Sequence, residues 1–139
     1  MKLLVATDGS KNALRAVRHA ADLLGKMSEP GSITLISVHD DTALRHARRF
    51  VGKQAIEEYL NELSQQDLAD ARKMLDEAGV SYDTLVRTGH VASEIADAGK
   101  DFDLIVLGSK GRSALTDMVI GSVAKRVIEL AKTPVLLVR

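Results

Sequence analysis

The chain has 139 residues, 45% of them apolar and 27% charged, with 19 Lys plus Arg balanced by 19 Asp plus Glu. That is the size and mix of one folded domain, too apolar for disorder, and its zero net charge argues against a dedicated nucleic-acid binder. The absence of cysteine and an aromatic content of 3% exclude a disulfide scaffold, a Cys-ligated metal, a thiol nucleophile and a base-stacking platform.

The opening MKLLVATDGSK has an apolar run that stops at Ala6, too short for a signal peptide or membrane span. The expectation is one cytoplasmic domain over residues 1–139, with no membrane and no nucleic-acid partner. Leu3 to Ala6 reads as a strand buried on both faces, ended by Asp8-Gly9-Ser10. Ala13, Val17, Ala20 and Leu24 then recur at helical spacing, and Pro30-Gly31 punctuates the chain. Ser32 to Val38 is a second strand. Asp41 to Ala78 is helical by composition, with Gly52 as a break and Gly79 as a C-cap. Val80 to Val86 alternates like a third strand. A short helix through Ala92, Ile95 and Ala96 ends near Gly99. Asp103 to Leu107 is a fourth, buried strand. Ser122 to Ala131 is a last helix, and Pro134 to Val138 a last strand.

Strands that alternate with helices pair in parallel through right-handed crossovers, giving an α/β sheet with helices on both faces. Such sheets bind ligands at the carboxyl ends of their strands, where the strand order reverses. Two strand ends carry unusual residues: Thr7-Asp8-Gly9-Ser10 after the first, and Gly108-Ser109-Lys110-Gly111 after the fourth. In the second segment Gly121-Ser122 opens the last helix, and Lys110 and Arg112 add positive charge. Glycines that admit positive φ, together with amides at a helix start, suit a phosphate. The spacing is neither a Walker A loop nor a dinucleotide fingerprint. A turn followed by a capped helix is the plainer reading.

The series Gly108-x2-Gly111-x9-Gly121-Ser122 resembles the nucleotide-binding motif of the universal stress protein family. The opening LLVATDGSKNALRAVRHAADLL, the Val38-His39 strand end and the closing GSVAKRVIELAKTPVLLVR resemble it too, so the likeness covers the chain. It implies an open five-stranded parallel sheet of order 3-2-1-4-5, of the adenine nucleotide alpha hydrolase-like kind, with the first and fourth strands adjacent. It also implies a site. Asp8, flanked by Ala6 and Thr7, falls near the ribose or adenine. Val38 reads the adenine through its backbone. Gly108, Gly111, Gly121, Ser122 and Val123 form the phosphate and ribose cradle, and Leu107, Lys110 and Arg112 complete the expected binding residues. Ala6 stands where nucleotide-binding members often carry proline. Members that retain the motif bind ATP, so the implied ligand is ATP (or AMP or ADP), with Mg²⁺ as its companion. The implied role is a nucleotide-responsive regulatory or stress-response protein, at most a slow ATP hydrolase. The alternative is a dimeric interaction module that binds no nucleotide.

Other groups have plainer readings. Asp40-Asp41 either caps the long helix or helps hold Mg²⁺, with capping favoured. Arg45, His46, Arg48 and Arg49 make a basic patch, read as a solvated face balanced by Glu57, Glu58, Glu62 and Asp67. No histidine pair has helical metal spacing. His39 lies near the crevice and His90 begins a helix. Asp8 either serves a ligand or caps the first helix. The last strand, Val135, Leu136, Leu137 and Val138, is apolar throughout and falls at a sheet edge. The expected assembly is a homodimer paired through it.

Overall fold

A computed structural model describes residues 1–110 and 120–139. The described residues build a five-stranded sheet of order β3-β2-β1-β4-β5, every neighbouring pair parallel. The strands are β1 (Lys2–Ala6), β2 (Ser32–His39), β3 (Tyr82–Thr88), β4 (Leu104–Gly108) and β5 (Val135–Val138). The helices are α1 (Lys11–Gly25), α2 (Thr42–Arg45), α3 (Arg48–Val51), α4 (Lys53–Glu77), α5 (Val91–Ala98) and α6 (Ser122–Leu130). The expected order and helix placement are thus observed.

Side chains alternate across a strand, so each central strand feeds two cores. Leu3 and Val5 of β1, with Ile33, Leu35 and Val106, pack against Ala16, Val17 and Ala20 of α1 and Leu68, Ala71 and Leu75 of α4. Leu4, Ile36, Ile105 and Leu107 point the other way, onto Ala92, Ile95 and Ala98 of α5 and Ala124 and Val127 of α6. This double burial is why β1 and β4 read as unbroken apolar runs rather than alternating ones.

Two elements differ from expectation. The stretch after β2 is three helices, with a break at His46-Ala47 as well as at Gly52. The third strand begins at Tyr82 because the end of α4 uses the residues before it. Gly79 lies at φ 69°, its amide donates to the Asp76 carbonyl (3.1 Å), and the Val80 amide donates to the Leu75 carbonyl (3.0 Å). Those bonds are the paired closure of a Schellman cap, so Val80 belongs to the helix end.

Candidate functional site

Leu3 pairs with Leu104 and Val5 with Val106, so β1 and β4 release their chains side by side at one end of the sheet. Strand β2 runs further. Ala6, the last residue of β1, faces Ile36, so Val38 and His39 overhang the β1 end, paired with Arg87 and Thr88 of β3. The crevice at the switch point therefore has loops from β1 and β4 on its floor and the overhang of β2 as a wall.

The loop after β1 is braced internally. Thr7 is buried, and its hydroxyl oxygen accepts from the Gly9 amide (3.2 Å). The Asp8 Oδ1 accepts from the Ser10 amide (2.9 Å). Ser10 is the residue that caps α1, its Oγ accepting from the Ala13 amide (3.2 Å). This corrects the reading in which Asp8 caps the helix: Asp8 braces the turn that precedes the cap.

Gly108 has a structural reason to be glycine. A Cβ there would lie 2.9 Å from the Asn12 carbonyl carbon and oxygen and 3.2 Å from the Ala13 nitrogen. The missing side chain lets the start of α1 lie directly on the end of β4. Beyond it, Ser109 is buried and fixed at both main-chain polar atoms. Its amide donates to the Val138 carbonyl (2.8 Å), and its carbonyl accepts from the Gly121 amide (2.7 Å). That second bond ties the start of α6 to the end of β4, bringing Gly108 and Gly121-Ser122 together. Lys110 is half-buried at the mouth of this loop. Gly111 and Arg112 lie outside the described residues.

Gly121 is the N-cap of α6 at φ −62° and ψ 154°, a conformation open to any residue, so no left-handed backbone explains this glycine. Among the described residues no side chain caps α6, whereas Ser10 caps α1 and His90 caps α5 by accepting from the Ser93 amide (3.3 Å). Ser122 is the first helical residue and exposed, and Val123 is exposed beside it. The Ser122 hydroxyl therefore is not the cap of the helix. The Leu107 side chain is buried in the core, so only its main chain faces the crevice end of β4. Val38 is half-buried and packs toward α5 and α6.

Asp40 and Asp41 do not act as a pair. The Asp40 carboxylate accepts from the Thr42 hydroxyl and amide, and those two bonds hold it below the usual carboxylate range. Asp41, the formal N-cap of α2, makes no capping bond and stands 3.4 Å from the Arg45 guanidinium. The basic patch is solvated, as expected. Its expected balance differs in one respect, because Asp67 is buried.

Asp67 was legible as more than a surface charge. Leu60, Ser64, Asp67, Leu68, Ala71 and Leu75 share the inward stripe of α4, which helical spacing alone places inside. Its Oδ2 is 2.7 Å from His39 Nε2 and accepts from the Ser37 hydroxyl (3.2 Å). Among the described residues no group of three His, Cys, Asp or Glu side chains is placed to hold a metal ion. No described helix is long and apolar enough to cross a membrane.

These features define an open parallel α/β domain whose two central strands deliver a braced acidic turn and a glycine-bearing loop to one crevice. The chain matches the Universal stress protein family over residues 1–139, and it belongs to that family. Universal stress protein MJ0531 of Methanocaldococcus jannaschii is 35% identical over 99% of this chain and 81% of that protein. Universal stress protein YxiE of Bacillus subtilis is 31% identical over 99% of this chain and 98% of its own. The solved structure of MJ0577 superposes with a TM-score of 0.83 at 27% identity, over 99% of this chain and 94% of that one. Two more distant structures of the fold were solved with adenine nucleotides. One universal stress protein holds cAMP (21% identity, TM-score 0.71, 100% of this chain and 97% of that one). Another, from Archaeoglobus fulgidus, holds dAMP (22% identity, TM-score 0.69, 100% and 98%).

Proposed function

We propose that this protein binds an adenine nucleotide, ATP in the first instance, in the crevice between β1 and β4, and acts as a nucleotide-responsive regulator rather than a fast enzyme. The observation that carries the reading is the bond from the Gly121 amide to the Ser109 carbonyl (2.7 Å). It sets the start of α6, which no described side chain caps, against the end of β4. First-turn amides, at the positive end of a helix dipole, suit a phosphate. The cAMP and dAMP structures show what this fold can hold; the case for this chain rests on its own loop and motif.

In this reading Gly108, Gly111, Gly121, Ser122 and Val123 contribute main-chain amides and the Ser122 hydroxyl to the phosphates and ribose. Lys110 and Arg112 supply positive charge, with Leu107 contributing main chain only. Asp8, between Ala6 and Thr7, accepts from the ribose or adenine, and the Val38 main chain borders the base. Mg²⁺ would accompany the phosphates. Titration calorimetry with ATP and Mg²⁺ tests the reading: micromolar affinity, about −8 kcal/mol, is expected. No heat and no thermal shift at millimolar ATP refutes it.

The proposed assembly is a homodimer through β5, in keeping with a cytoplasmic regulator. Among the described residues β5 pairs with β4 alone, at the edge of the sheet. Val135, Leu136, Leu137 and Val138 are all half-buried, and α6, which leads into β5, exposes Val123, Ile128 and Leu130. An apolar edge with apolar neighbours suits antiparallel pairing about a two-fold axis.

A further inference from the structure

Asp67 sits at the centre of a buried polar cluster that joins α4 to the crevice ends of both β1 and β2. Its side chain is only 4% exposed, and a carboxylate is seldom buried without partners. Two partners of its carboxylate come from the crevice end of β2. His39 Nε2 lies 2.7 Å from Asp67 Oδ2, and the Ser37 hydroxyl lies 3.2 Å from the same oxygen. The Ser64 hydroxyl, one turn earlier on α4, lies 3.2 Å from that of Ser37. The main-chain carbonyl of Asp67 accepts from the Thr7 hydroxyl at 3.4 Å.

The chemistry orders these contacts. A carboxylate only accepts, so His39 presents Nε2–H to it and Ser37 gives it its one hydroxyl proton. Bonds of this charge-assisted kind are stronger and more directional than neutral ones. Ser37 and His39 flank Val38 on either side, and both turn to the α4 face while Val38 turns to the other. Two bonds to one oxygen therefore clamp the backbone on both sides of Val38, beyond the point where β1 has ended. The His39 carbonyl is engaged as well, accepting from the Gly89 amide (3.0 Å). Through Thr7, whose hydroxyl oxygen also holds the Gly9 amide, the same aspartate reaches the turn that carries Asp8. A purely apolar stripe on α4 would serve the core equally well, and the cluster stands where that stripe meets the ends of β1 and β2.

We infer that Asp67 and His39 are positioning residues for the adenine end of the crevice: the Asp67 carboxylate, buried in α4, fixes the Val38 main chain and the Thr7–Asp8 turn in the geometry that receives the base. This inference rests on the nucleotide reading and adds the part of the site that no residue of the glycine motif supplies. Neither side chain need touch the ligand.

The test compares two probes on the full-length chain, ATP and inorganic tripolyphosphate, by titration calorimetry. The variants are Asp67→Ala, His39→Ala and His39→Gln, with circular dichroism and thermal melting as controls on the fold. Should Asp67→Ala fail to fold, His39→Ala carries the test, because His39 is partly exposed and the Ser37–Asp67 bond remains. The positioning role predicts that ATP affinity falls about tenfold or more in the alanine variants, the scale of one lost hydrogen bond to a charged group. Tripolyphosphate affinity should stay within about threefold, and His39→Gln, which keeps an N–H donor, should recover most of the ATP affinity. A parallel loss for both probes would mean that the cluster merely supports the fold, and would overturn the inference. Unchanged ATP affinity in the alanine variants would overturn it while leaving the nucleotide reading in place. Absence of ATP binding by the wild type would remove both.

Discussion

Replacing Gly108 with alanine adds one methyl group at the point where α1 meets β4. The new carbon would sit 2.9 Å from two main-chain atoms of Asn12 and 3.2 Å from the Ala13 nitrogen. These are backbone atoms of a helix start held by the Ser10 cap and by the apolar contacts of Ala13, Ala16 and Val17. They cannot rotate aside as a side chain would. Either α1 lifts from the sheet or β4 bends, and overpacking of this kind costs about 1–3 kcal/mol. For a chain of this length that corresponds to a fall in Tm of about 4–12 °C. The assay is thermal and urea unfolding without nucleotide, where an unchanged urea m-value with a lower midpoint identifies a stability change in the folded state. A variant that melts within about 1 °C of wild type would refute the reasoning, because the glycine would then serve only a ligand.

Gly121→Val should behave oppositely: its φ of −62° and ψ of 154° accommodate a β-branched residue, so Tm should move little while ATP binding is lost on calorimetry. Leu137→Lys should shift the assembly from dimer to monomer in light scattering at tens of micromolar, by placing a charge at the seam of the proposed strand pair. Hydrogen bonds from Lys100 and then Arg87 hold the Asp97 carboxyl below its ordinary value. A group lowered on folding contributes stability that is present above its unfolded midpoint and lost as pH falls through the folded one. Carbon-13 NMR should therefore show Asp97 titrating below the usual aspartate midpoint of about 4, and Lys100→Ala should move it upward.

What could be read before the structure, and what could not, follows from how locally each feature is determined. Strands β1, β2, β4 and β5 are short runs in which both faces or one edge are apolar, so composition alone marks them. Their order came from resemblance, since nothing in the residues of a strand says which neighbour it will choose. The start of the third strand was displaced because Val80 fits a strand by type but is used by the Schellman closure at the end of α4. The roles of the glycines were harder still. Gly108 matches the motif, yet only the packing shows that Asn12 occupies the place of its side chain. Gly121 matches it too, yet its backbone angles are ordinary. Asp67 reads as a balancing surface charge because Gln65, Gln66 and Asp70 lie around it; its phase on the helix, alongside Leu60, Ser64, Leu68 and Ala71, is the signal that places it inside.

The central claim is that the crevice between β1 and β4 receives an adenine nucleotide, and calorimetric titration of the full-length wild type with ATP and Mg²⁺ tests it most directly. Saturable binding at one site per chain, with micromolar affinity that disappears in Gly121→Val, is the predicted result. No binding at millimolar ATP, or equal binding by the wild type and Gly121→Val, would contradict it.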